Sequence, residues 1–281
     1  MKLVRLVKLF LKEFIEQIRK DPMQDWAATL AFYFMLAIFP FLIFILALIS
    51  YIPITIEQIH HFVHEFAPSH LAQLFIDTIL EVVSEPKGGL LSFGILASIW
   101  TASNGINALV RALNKVHNVD ETRSFVKLKM ISIFMTLGIV ITFFVILLMP
   151  VFGDEILRFL GRVFYFSNQT INFLNYLRWI ISVVIMITAL MLIYYIAPNK
   201  NIAFRHVVLG AITATLGWLL ISYGFSIYIA NFNNFTATYG ALGGVIILMF
   251  WFYLSGFILI IGGEINATLY NIRNIRKKSR I

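Results

Sequence analysis

The sequence predicts an all-α, polytopic membrane protein, on three observations: an apolar composition, six long apolar stretches, and an uneven distribution of Lys and Arg between them. Of 281 residues, 60% are hydrophobic and 13% are charged. Soluble domains carry about 25% charged residues, so this chain holds more apolar surface than a water-facing fold can hide. It contains no Cys, which excludes disulfide scaffolds and thiolate metal sites.

The first element is residues 2–20. Leu3, Leu6, Val7, Phe10, Phe14 and Ile18 fall on one helical stripe, with Lys2, Arg5, Lys8, Lys12 and Arg19 largely opposite. That pattern is a basic amphipathic helix lying on a membrane surface. A secretory signal would need a compact apolar core and a small-residue cleavage site. Neither is found, so the N-terminus is expected to be retained.

The apolar stretches run over about 26–52, 88–110, 128–152, 176–197, 205–230 and 244–270, each long enough for a hydrocarbon core of about 30 Å. The domains expected are a cytoplasmic amphipathic helix over 1–25, a six-helix transmembrane domain over 26–270 and a basic tail over 271–281. With the N-terminus inside, 18 of the 22 Lys and Arg fall on the cytoplasmic side, and only Lys87, Arg158, Arg162 and Arg178 fall outside. Short cytoplasmic loops are enriched in these residues, so both termini are expected in the cytoplasm. The net charge of +8 then lies along the inner leaflet. Anionic lipid is its simplest partner, and a nucleic-acid role loses its main support.

Two outer connections are long. Residues 54–85 read as two short amphipathic helices broken at Pro68, with Ser69 able to cap the second, and 153–175 read similarly. Residues 231–244, NFNNFTATYGALGG, carry no charge and suit a segment that dips back into the protein interior.

The second span is unusual. GLLSFGILASIW ends at Trp100, too short to cross alone, so the helix must continue through TASNGINALVRALNKV. Asn104, Asn107, Arg111 and Asn114 then share one narrow stripe. The stripe is either the polar wall of a substrate cavity or helix-to-helix hydrogen bonding with Arg111 reaching the inner headgroups. Glu264, in the last apolar stretch, lies at a similar depth to Arg111 by helical rise. The two could pair, as a latch, a proton-sensitive site or a structural bridge. Pro40 should kink the first span. Gly94, Ser98 and Ala102, then Gly210 with Ala214, and Gly240 with Gly244, repeat small residues every four positions, which lets helix backbones approach closely. His60, His61, His64 and His70 lie near Glu57 in the first outer connection, but an exposed helix with incidental histidines explains them better than a metal site does. No Walker loop, nucleophile elbow or paired catalytic carboxylates occur.

AATLAFYFMLAIFPFL around Pro40, ASNGINALVRALNKVHNV around Asn114, YYIAPNK around Pro198 and the closing block from GAITATLGWLL through YGALGGVIILMFWFYLSGFILIIGGEINA together resemble the YihY/BrkB family of bacterial inner-membrane proteins, nearly end to end. The resemblance implies a six-helix domain in the bacterial cytoplasmic membrane. It settles function less, because the family carries virulence-factor, ribonuclease and transporter labels. The ribonuclease label finds no support here, since no cytoplasmic carboxylate or His cluster is available to hold a catalytic metal.

The leading functional expectation is a non-enzymatic, cofactor-free membrane protein that passes or flips a lipid or other anionic amphiphile. Its candidate cavity comprises Asn104, Asn107, Arg111, Asn114, Tyr239, Gly240, Glu264 and Asn266. The partners expected are membrane lipids, with anionic lipid at the inner leaflet, and partner proteins or further copies of the chain. The competing expectation is a scaffold that docks partner proteins through its surface helices. A membrane-embedded enzyme acting on lipid ranks last.

Overall fold

The computed structural model describes residues 2–51, 88–164, 167–231 and 241–278, with residues 57, 60, 73, 76, 77 and 80. Among them all regular structure is helical: α1 (Lys2–Lys20), α2 (Met23–Ile49), α3 (Gly88–Val116), α4 (Phe125–Phe164), α5 (Asn168–Ile196), a 3-10 turn at Phe204–His206, α6 (Val208–Asn231) and α7 (Ala241–Lys278). All but α1 are long and apolar enough to cross a membrane, and at most 22% of any span's apolar window is buried inside the protein. The remainder, including Phe32, Phe93, Phe134, Ile141 and Leu220, faces outward, so lipid must act as its solvent.

The second span does continue past Trp100, as α3. The segment 153–175 departs from the expected short helices: α4 runs on to Phe164, and α5 begins at Asn168, where Ser167 accepts the Thr170 N–H at 3.2 Å as an N-cap. The expected helices over 54–85, most of the histidine cluster, and the segment 232–240 lie outside the described residues.

The chain forms two compact units, Tyr33–Asn104, and Met1–Phe32 with Gly105–Ile281. In the first, α2 runs unbroken across Pro40 and approaches α3 closely at Gly94, where a β-carbon would lie 2.6 Å from the Phe44 backbone nitrogen. Hydroxyls of Ser98, Thr101 and Ser103 bond to carbonyls of their own helix, as Ser and Thr in apolar helices do.

In the second unit α4 packs on α5, α5 on α6, α6 on α7 and α7 on α1. The α6–α7 contact is backbone to backbone, because a β-carbon at Gly210 would collide with the Gly262 carbonyl and the Asn266 side chain. Tyr194 on α5 donates its hydroxyl to the Leu259 carbonyl at 2.7 Å. Helix α1 turns into α2 at Asp21–Pro22, where Asp21 N–H bonds Gln17 at 2.9 Å and Met23 N–H bonds Asp21 at 2.8 Å. The amphipathic stripe of α1 divides in use: Phe10 and Phe14 stack at 5.5 Å and are half-buried, whereas Val7 and Ile18 remain exposed. Thr268 of α7 donates to the Gln17 side chain, which ties the first helix to the last.

Candidate functional site

One end of the second unit is built around the end of α3. Asn118 takes a left-handed conformation, with φ at 51°, and the Val119 and Asn118 amides bond the Asn114 and Lys115 carbonyls at 2.9 Å each. This closure is a Schellman motif, and it turns the chain so that residues 119–123 fold back beside Asn114. The Asn114 side chain then donates to Glu121 at 2.9 Å and accepts the Asn199 N–H at 2.7 Å. Arg123 grips Glu121 through Nε and a terminal nitrogen at 2.7 and 2.6 Å, and donates to the Ala197 carbonyl at the end of α5 at 2.8 Å. Hydrogen bonding from Arg123 holds the Glu121 carboxyl below the usual carboxylate range. Asn199 closes the network through Asp120 O and Thr122 Oγ1.

Beside it, Lys200 donates to the His117 carbonyl at 3.2 Å and sits 4.7 Å from the centre of the Tyr270 ring. His117 is buried, with Nδ1 unpartnered among the described residues. Burial, then the positive charge of Lys200, lower its pKa to about 4, so it is neutral near pH 7.

A second polar group lies along α7. Glu264 is fully buried, and among the described residues no N–H or hydroxyl group donates to its carboxylate oxygens. It faces the carboxyl of Asp21, at the α1–α2 turn, close enough for a hydrogen bond between the two acids once one of them holds a proton. Asn266 accepts the Gly210 N–H at 2.8 Å, while its Nδ2 is unpartnered there. Asn107 is buried, with its Oδ1 likewise unpartnered.

The sequence-predicted residues therefore separate. Asn114 joins the loop network; Glu264 and Asn266 lie on α7; Arg111 is exposed on α3 and makes no ion pair with Glu264. Asn104 is half-buried. Tyr239 and Gly240 lie outside the described residues. Among the described residues no group of three or more His, Asp or Glu could hold a metal ion.

Two features were not foreseen. One is the loop network, whose signal was Glu121 and Arg123 two residues apart between spans, together with the APNK segment after α5. The other is an apolar groove of about 440 Å³ between α6 and α7, lined by Ile221, Gly224, Phe225 and Tyr228 on one side and by Ile246, Ile247, Phe250 and Leu254 on the other. Its residues read as ordinary lipid-facing positions, and only Gly224 hinted at a gap.

The six candidate spans and outward apolar surface define the class, an integral membrane protein. Within that class the chain belongs to the BrkB family: a family model described as "Virulence factor BrkB" matches residues 14–280. The chain is 42% identical over 266 residues to the "Putative ribonuclease-like protein YfkH" of Bacillus subtilis (strain 168), which covers 95% of this chain and 97% of that one. It is 28% identical over 262 residues to a UPF0761 membrane protein of Photobacterium profundum, covering 90% and 78%. A UPF0761 membrane protein of Vibrio campbellii is 26% identical over 279 residues, covering 95% and 85%. No solved structure matches. The family is one of membrane proteins and defines no known enzyme class.

Proposed function

We propose that the protein binds a membrane amphiphile and moves it between the leaflets of the bacterial cytoplasmic membrane, with both termini in the cytoplasm. The observation that carries this reading is the α6–α7 groove, about 440 Å³ of apolar-walled space between two spans. Tight helix packing would fill such a space with side chains. Here Gly224 leaves it open, because a β-carbon there would meet nothing within 4 Å. The groove suits an acyl chain, which needs apolar walls and no hydrogen bonds. The buried polar atoms of Glu264, Asn107 and Asn266 give a headgroup partners further along the bundle, since unsatisfied intramembrane polar groups favour function over packing. The activity is non-enzymatic: the amphiphile is bound and released with no bond changed. The positive-inside distribution, 18 of 22 basic residues, supports the orientation.

The test is Gly224→Leu, whose β-carbon would meet no atom within 4 Å and whose side chain adds volume at the groove. Purified protein in liposomes carrying a fluorescent phospholipid should expose the label to an external quencher faster than empty liposomes do. The variant should lose most of that acceleration at unchanged thermal stability. Equal rates for wild type and variant would remove the groove from the path.

A further inference from the structure

The connection between α5 and α6 forms a second concavity, of about 640 Å³, lined by Tyr195, Ile196, Pro198, Asn199, Lys200 and Asn201 among others. We propose that this cup binds the phosphate group of an anionic ligand, with Lys200 and Asn201 as the donors. The inference names the headgroup chemistry of the amphiphile read above and depends on that reading only for the source of the phosphate.

Four observations point to an anion. Lys200 has three N–H donors, of which one reaches the His117 carbonyl, while the Tyr270 ring accepts its charge without accepting a proton. Donor capacity is left over on Lys200, which is itself one of the residues that line the cup. The acids nearby already have bases: Glu121 holds Arg123 at 2.6 Å and Asp120 lies 3.6 Å from Lys115. Among the described residues no carboxylate lines the cup, so its field stays positive, with exposed Arg205 on the adjoining 3-10 turn. The frame is rigid, because Asn199 is fastened by its own N–H and by both bonds of its side-chain amide. A preorganised donor set loses little entropy on binding.

The rim argues for a lipid source. Tyr195 and Phe204 meet edge to face at 5.6 Å, and both stay 44–45% exposed, with Ile196 at 42%. An exposed aromatic lip at the end of a span sits where headgroups give way to hydrocarbon. A phosphate in the cup would thus have its tails beside Ile196 and the aromatic pair, whereas free phosphate would make no use of them.

The full-length protein would be studied in phosphatidylcholine nanodiscs doped with phosphatidylglycerol, and retained lipid counted by native mass spectrometry. Separately, detergent-purified protein would be titrated with inorganic phosphate by calorimetry. Wild type should retain phosphatidylglycerol in preference to phosphatidylcholine, and Lys200→Gln and Asn201→Asp should each reduce that preference about tenfold, equivalent to about 1.4 kcal/mol. Lys200→Arg should restore it. Lys200 also tethers the His117 carbonyl, so Asn201→Asp, at an exposed position, carries the test if Lys200→Gln fails to fold.

Phosphate binding that Asn201→Asp abolishes, without any lipid preference, keeps the site and assigns it free phosphate. Lipid retention equal in wild type and Asn201→Asp, with no phosphate binding, overturns the proposal. Transport is scored independently: lipid movement without binding at the cup removes the cup alone, and binding without lipid movement removes the transport reading alone.

Discussion

The two polar groupings of the larger unit differ in how completely they are satisfied. Around Asn114, each charge of the Glu121–Arg123 pair is engaged, and the side chains of Asn114 and Asn199 give and receive in several directions. Along α7, Glu264 and Asn266 are as deeply buried, yet the Asn266 amide nitrogen has no acceptor among the described residues and the group that faces Glu264 is a second acid, Asp21. Satisfied networks rigidify a fold, whereas a partly satisfied one costs stability unless something else needs it. The difference sets the loop network apart as architecture and makes the α7 strip the place where the proposed transport would show in mutants.

The largest test of that contrast is Arg123→Ala. It leaves the Glu121 carboxylate with only the Asn114 amide and the backbone N–H of position 123 as donors and frees the end of α5, and breaking a largely buried pair costs about 3–5 kcal/mol. Because the pair is 10% and 20% exposed, we expect about 2–4 kcal/mol, read as a fall of several degrees in the melting temperature in nanodiscs. An unchanged melting temperature would strip the network of its architectural role. The next effect is acid sensitivity. Folded His117, with its pKa lowered to about 4, binds its proton more weakly than the unfolded chain, whose His titrates near 6.5. Its contribution to stability is therefore intact above about pH 6.5, declines as the pH falls and is lost below about pH 4, by up to about 3 kcal/mol. His117→Gln should flatten the melting temperature across that window. The smallest stability effect is expected for Glu264→Gln. It keeps the shape and lets the new amide donate to the Asp21 carboxyl, so the melting temperature should move far less than for Arg123→Ala, by about 1 kcal/mol equivalent or under, while lipid movement in liposomes falls. A stability loss as large as that of Arg123→Ala would place both groupings in one class.

The spans were legible because lipid selects on length and polarity, which a linear sequence displays directly. The continuation of α3 beyond Trp100 followed from an apolar run too short to cross, and the close approach at Gly210 followed from its spacing with Ala214. Side-chain partnership was harder to read. Arg111 and Glu264 match in depth along their helices, but depth follows from the rise per residue, while facing depends on which helices are neighbours. Glu264 turns toward the α1–α2 turn and Asp21, and Arg111 turns outward. Asn114 belonged by spacing to a membrane stripe, yet α3 ends two residues later and its side chain serves a loop. The groove left no mark, because an absence of side-chain volume has no residue to announce it beyond Gly224.

The contact between Gln17 and Thr268 spans 251 residues of sequence. At synthesis rates of about 5–20 residues per second, the first helix waits some tens of seconds before the surface it rests on exists. Throughout that interval Phe10 and Phe14 need another apolar neighbour, and the bilayer surface is the one at hand. Helix α1 would thus have two partners in turn, the bilayer surface while the chain is being made and α7 in the finished fold.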